Sequence, residues 1–141
     1  MPFEARAETR RAEQFIGSWT LNSFELRLKS GEARKPLGEH PVGRILYQRN
    51  GQMSAQLMHS EPAAFASGDP LQATLEEASR AWREYTGYWG TFTVDPEAPI
   101  VTHHIEGCSF PNWIGQNQIR SFRFEGDRLI LGADSPDWIA T

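Results

Sequence analysis

At 141 residues, 39% hydrophobic and 23% charged, the chain is long enough to bury one core, too short to divide comfortably into two, and far from the composition of disordered segments. Its 18 acidic residues outnumber its 14 basic ones for a formal charge of -4, and twelve arginines with two lysines (Lys29 and Lys35) lie scattered. That pattern excludes nucleic acid as an expected partner, because such binding rests on clustered positive charge.

Residues 1–14 alternate charge with alanine and have no apolar centre, so they read as neither a secretory signal nor a membrane span. A cytoplasmic location without a membrane partner follows by default. The segment is an extension, helical or frayed, to a domain covering residues 15–141. Ser18 to Leu28 is a long extended candidate, followed by a polar connection (31–41) with two prolines and two glycines. Arg44 to Gln48 and Gln52 to Met58 flank Asn50-Gly51, which suits the two positive-φ positions of a type I′ hairpin turn.

From Thr74 the period changes. Leu75, Ala78, Trp82 and Tyr85 recur at spacings of three and four, as one buried face of a helix requires. Thr74 and Glu77 have capping-box spacing, and Gly87 is positioned to stop the helix. Tyr88 to Val94 and Ile100 to Glu106 are then separated by Asp95-Pro96-Glu97-Ala98-Pro99, a connection whose prolines cannot donate to a ladder. Phe110 to Gly115 interrupts next, and Ile119 to Phe124 and Arg128 to Leu131 flank a second turn at Glu125-Gly126-Asp127. Cys108, the one cysteine, ends an apolar run where a free thiol acts as a small buried hydrophobe, and it permits no intramolecular disulfide.

Seven strands with one inserted helix give an all-β class. An open meander would leave two edges able to pair with other chains, whereas an antiparallel up-and-down β-barrel removes them and encloses a space. Eight strands leave an interior that side chains fill or that holds one small ligand. Seven is one short, and Trp138-Ile139-Ala140 is the candidate for part of the missing strand.

Strand alternation sorts the residues that could carry chemistry. Val101, His103 and Ile105 share one face and Thr102, His104 and Glu106 the other, so one histidine of the pair points inward. Gln118, Arg120, Phe122 and Phe124 lie together; Trp19, Leu21, Ser23 and Glu25 do likewise, as do Gly43, Ile45 and Tyr47. An acid/base site would draw on His103 or His104, Glu106 or Glu25, Tyr47 and Arg120, because histidine titrates near neutrality and a guanidinium holds an enolate or carboxylate. The residues of that catalytic set are His103, His104, Glu106 and Tyr47. Structural or ligand-orienting roles outweigh catalysis for each. A metal would need three or four ligands, and spacing secures only His104 and Glu106, with His59 ending a neighbouring strand, so no metal site is expected. Trp82, Tyr85, Tyr88, Trp89 and Phe92 fit a helix packed on the barrel as well as a ligand wall. Met53 and Met58 have opposite parity, so at most one faces inward. No nucleophile elbow, phosphate loop or dinucleotide fingerprint occurs, and no cofactor is expected.

Several segments together resemble the bacterial and fungal lipocalin-like domain family. They are Phe15-Ile16-Gly17-Ser18-Trp19, Pro41 to Tyr47, Asn50 to Gln56, Phe65 to Pro70, Tyr88 to Phe92, Thr102 to Gly107 and Phe110 to Gly115, spanning about Phe15 to Leu131. The resemblance implies a lipocalin-like barrel with a helix inserted before the Tyr88 strand. It also implies that Gly17 and Trp19 form the Gly-x-Trp opening and that Arg120 packs on that tryptophan. It does not imply a reaction, since fold does not fix function. Family domains continue past the Leu129–Leu131 strand into a closing strand, so this barrel either closes with a shortened end or is completed by a partner chain, as in a homodimer. The expected function is a pocket for an apolar or aromatic small molecule lined by Trp19, Tyr47, Met53, Tyr88, Phe92, His103, Arg120 and Phe122. The alternative is a cofactor-independent isomerase, cyclase or hydratase of secondary metabolism using the same pocket.

Overall fold

The computed structural model describes residues 10–134 and 137–140. The chain runs through β1 (Gly17–Thr20), β2 (Phe24–Arg27), β3 (Ala33–Arg34), β4 (Val42–Tyr47), β5 (Gln52–Met58), β6 (Tyr85–Val94), β7 (Ile100–Cys108), β8 (Asn117–Glu125), β9 (Arg128–Asp134) and β10 (Asp137–Ala140), with buried and outward residues alternating most clearly along β6 and β7. One helix, α1 (Leu75–Arg83), stands between β5 and β6, and a 3₁₀ turn (Pro111–Trp113) between β7 and β8. The strands form one sheet in the order β1-β4-β5-β6-β7-β8-β9-β10-β2-β3, every pairing antiparallel.

The expected first strand is split, and the split closes the barrel. β1 and β2 are successive parts of one extended stretch, yet they bond to opposite ends of the sheet: Trp19 lies opposite Ile45 of β4, and Leu26 opposite Trp138 of β10. The chain itself thus joins the two ends of the sheet, with β1 and β2 together as one bent stave beside β4 to β10. Residues 138–140 supply the missing strand within the same chain, so closure needs no second copy.

Both hairpins form, with different turn chemistry. In the first, Gly51 N–H donates to the Gln48 carbonyl (3.0 Å) and Gln48 N–H to the Gln52 carbonyl (2.8 Å). Only Gly51 has positive φ (+88°), and no described non-glycine residue does. This is a three-residue loop, a type I turn ending in a glycine bulge, rather than the type I′ turn expected. Asn50 keeps negative φ while its Oδ1 accepts from Gln52 N–H at 3.0 Å, a local bond that favours this turn. The second is a two-residue turn in which Glu125 pairs with Arg128 and Gly126 sits at φ +61°, as the first central position of a type II′ turn requires.

The helix starts where its cap predicts. Thr74 and Glu77 satisfy each other's backbone N–H groups in a complete capping box. It ends earlier than expected, because Met58 pairs with Tyr85 and the β5–β6 ladder takes over from there. Tyr85 and Gly87 therefore belong to β6, and Gly87 does not stop the helix. Nor is its apolar face buried: Leu75 is 91% exposed and Trp82 55%. Trp82 lies against Phe110, with ring centroids 6.3 Å apart, and donates Nε1–H to the Ser109 carbonyl at 3.3 Å. No helix among the described residues is long and apolar enough to cross a membrane.

One end of the barrel is filled from the N-terminal side. Residues 10–13 form a helical turn, after which Phe15, wholly buried, enters the interior and meets Tyr47, Phe122 and Phe124 edge-on at 5.2, 4.8 and 5.2 Å. Arg11 ties the turn down by donating to the Asp95 and Ala98 carbonyls and by covering the Phe122 ring at 5.2 Å. Trp19 donates Nε1–H to the Phe15 carbonyl at 2.8 Å and packs on Phe124. Arg120, four residues from Phe124 along β8, lies with Gln118 and Tyr88.

Candidate functional site

The interior has two parts, one packed and one empty. In the packed part, the inward faces of β4, β6, β7 and β8 bring together Tyr47, Tyr88, His103 and Arg120. His103 has no exposed surface; its Nε2 meets the Tyr47 hydroxyl at 2.7 Å and its Nδ1 the Tyr88 hydroxyl at 2.8 Å. Arg120 donates to Gln118 Oε1 at 3.1 Å and to the Ile119 carbonyl at 3.2 Å, and its charge acts on the Tyr88 phenol.

Burial governs the electrostatics of this cluster. It pushes the His103 imidazole down to about 3, aided by repulsion from Arg120 and then His104, so the ring is neutral at physiological pH. It raises the Tyr88 phenol to about 12 against the pull of Arg120, and it lifts Tyr47 well above the ordinary tyrosine value. Arg120 is lowered by burial and held up by the two tyrosines. The cluster is thus one guanidinium with three neutral, hydrogen-bonded rings.

The empty part is a cavity of about 420 Å³. Its apolar wall comes from the inward residues Ile45, Ala55, Leu57, Leu129 and Leu131, with Trp19 and Tyr88 beside them. Ala55 lies between Ile45 on β4 and Tyr88 on β6, and its small side chain at a wholly buried position leaves room that a larger residue would occupy. Residues 16–22 at one edge of the sheet and Asp127 and Arg128 at the β8–β9 turn complete the lining. No ladder joins those two segments among the described residues. Arg44 and Gln56 add further polar groups.

Of the residues singled out from sequence, Trp19 and Tyr88 line this cavity. Tyr47, Met53, Phe92, His103, Arg120 and Phe122 face the same interior but belong to the packed part. His104 and Glu106 lie on the outer face, away from the other candidates: His104 bonds Thr93 Oγ1 (2.9 Å) and Asn117 Oδ1 (2.8 Å), and Glu106 is exposed. Glu106 is also the residue left unpaired where Trp89 opposes Gly107 and Gly90 opposes Ile105, a bulge in β7. His59 accepts from Glu61 N–H, and no cluster with metal-ligand character occurs among the described residues. The lining residues missed by sequence reasoning, Ala55, Leu57, Leu129 and Leu131, carry one usable signal. Alternation places Ala55 and Leu57 on the face of Met53, and a small residue between two large ones on that face marks open space.

Comparison with known proteins agrees with this architecture. A protein of Aspergillus oryzae named 4'-hydroxy-3'-methoxypropiophenone carrier protein ppsC is 38% identical over 90 residues, covering 60% of this chain and 81% of the relative. No solved structure matches the chain. The family described as a lipocalin-like domain matches residues 16–139, nearly the whole closed sheet and its cavity, and the chain belongs to that family.

Proposed function

We propose that the protein is a small-molecule carrier that holds an apolar, aromatic metabolite in the cavity between Ala55, Tyr88 and Leu131. The observation that carries this reading is the cavity itself: about 420 Å³ of space walled mainly by apolar side chains. That lies within the range of roughly 300–1,000 Å³ typical of ligand pockets, which combine apolar walls with a few placed polar groups. The name of the Aspergillus relative supports an aromatic ketone as the kind of cargo. Titration calorimetry with 4'-hydroxy-3'-methoxypropiophenone tests it. We expect saturable binding with one ligand per chain, abolished by Ala55→Leu, which fills the cavity from its centre. Absence of saturable binding by this and other aryl ketones would sink the reading.

Conversion by a cofactor-independent isomerase, cyclase or hydratase is less well supported. A general base works best with a pKa near the working pH. His103 is held near 3, with both ring nitrogens engaged, and His104 and Glu106 face outward. The expected result of prolonged incubation is recovery of unchanged ligand; turnover abolished by His103→Ala would favour the enzyme.

A further inference from the structure

The proton positions in the buried cluster follow from counting donors and acceptors. Tyr47 is 1% exposed, and His103 Nε2 at 2.7 Å is the acceptor its hydroxyl meets among the described residues. A neutral imidazole accepts from only one of the two hydroxyls, so one O–H is left over; Tyr88 lines the cavity and Tyr47 does not, which favours Tyr47 as the donor to Nε2. A neutral imidazole that accepts at Nε2 carries its proton on Nδ1. Nδ1–H must then donate to the Tyr88 oxygen at 2.8 Å. The positive charge of Arg120 also acts on the Tyr88 phenol. The Tyr88 oxygen thus accepts from His103, and its own O–H meets no other acceptor among the described residues. Tyr88 is also part of the cavity wall.

We infer that Tyr88 offers its O–H to the cavity and that the ligand it recognises carries a carbonyl oxygen on an apolar aromatic body. The inference rests on the cavity being a ligand site, and it adds the group that orients the ligand. His103, donating to the Tyr88 oxygen, and the nearby charge of Arg120 polarise its O–H bond and strengthen it as a donor. Burial keeps the phenol protonated at neutral pH, so it donates rather than repels an oxygen. Tyr47 stands two hydrogen bonds away and is a positioning residue, fixing the imidazole tautomer that leaves the Tyr88 proton free.

Calorimetry with acetophenone and ethylbenzene, two probes of nearly equal size of which only the first has a carbonyl, separates the possibilities. The wild type is expected to bind acetophenone about tenfold more tightly, a difference of about 1.4 kcal/mol. Tyr88→Phe should erase the preference by weakening acetophenone binding about tenfold. Tyr47→Phe should narrow it, because the imidazole is then able to take the other tautomer and accept from Tyr88. Equal affinity of the wild type for both probes overturns the inference and leaves the cavity reading intact; failure of both probes to bind overturns the two together. If Tyr88→Phe does not fold, infrared difference spectra of carbonyl-labelled acetophenone bound to the wild type decide. A carbonyl stretch lowered from its value in alkane supports the hydrogen bond, and an unshifted one excludes it.

Discussion

His103 sits fully buried between two tyrosine hydroxyls, and its depressed pKa couples the fold to pH. Above the ordinary histidine value neither the folded nor the unfolded chain protonates this ring. Between about 6.5 and about 3 the unfolded chain takes up a proton that the folded chain refuses, so stability falls as pH falls through that window and levels off below it. Comparing urea denaturation at pH 7 and pH 5, the wild type should lose about 2 kcal/mol more than His103→Gln, which has no proton to gain. Equal losses in the two proteins would show that the imidazole is solvated. That an inward histidine exists was legible from alternation along β7, and so was the company of Arg120 with Phe122 and Phe124. Which histidine turns inward was not, because Val101, His103, Ile105 and Thr102, His104, Glu106 are both plausible inner faces until β6 and β8 are paired against them.

At the scale of elements, α1 shows how local and tertiary signals separate. The Thr74 capping box and the three-and-four spacing were sufficient to locate the helix, yet the stripe that spacing creates stays largely exposed. Periodicity reports amphipathicity and does not say what covers the apolar face. With little packing to hold it, α1 depends on its cap. Thr74→Ala should cost about 1 kcal/mol of helix stability, seen as faster hydrogen exchange in the first turn of α1 while the denaturation midpoint of the barrel changes little. A large drop in that midpoint would mean that the helix is integral to the core. β6 behaves in the opposite way. A Cβ at Gly90 would lie 1.8 Å from the His104 carbonyl oxygen and 3.1 Å from the Glu106 nitrogen, backbone atoms that cannot yield locally. Gly90→Ala should therefore destabilise the whole barrel by more than about 2 kcal/mol, a size typical of forced backbone displacement in a packed interior, with the change read as a lowered denaturation midpoint. No signal in the sequence marks Gly90 apart from other strand glycines, because its role arises only where β7 bulges against it.

For the whole molecule, closure is the property on which the cavity depends. Seven strands and part of an eighth were legible as a tube, but the split of the first strand was not. Ser18 to Leu28 reads as one extended run, and only the competing demands of β4 on Trp19 and β10 on Leu26 divide it. The packed end was also hidden, since Phe15 precedes the first strand and has no partner in sequence. β10 is bonded to β2 on one side and β9 on the other, so it is the stave that joins the two ends of the ring. A chain ending after Asp134 would leave one edge each of β9 and β2 unpaired, and exposed strand edges pair with other chains. We expect this variant to unfold at lower urea concentration and to self-associate with rising protein concentration in sedimentation velocity. It should also lose ring-current-shifted aromatic signals from the cluster of Phe15, Tyr47 and Phe92, because opening the ring at β9 releases the wall that holds them together. A truncated chain that stays monomeric, equally stable and able to bind aryl ketones would mean that the curled sheet from β1 to β9 encloses the ligand without being closed. The cavity would then be a groove between β1 and β9 rather than the interior of a barrel.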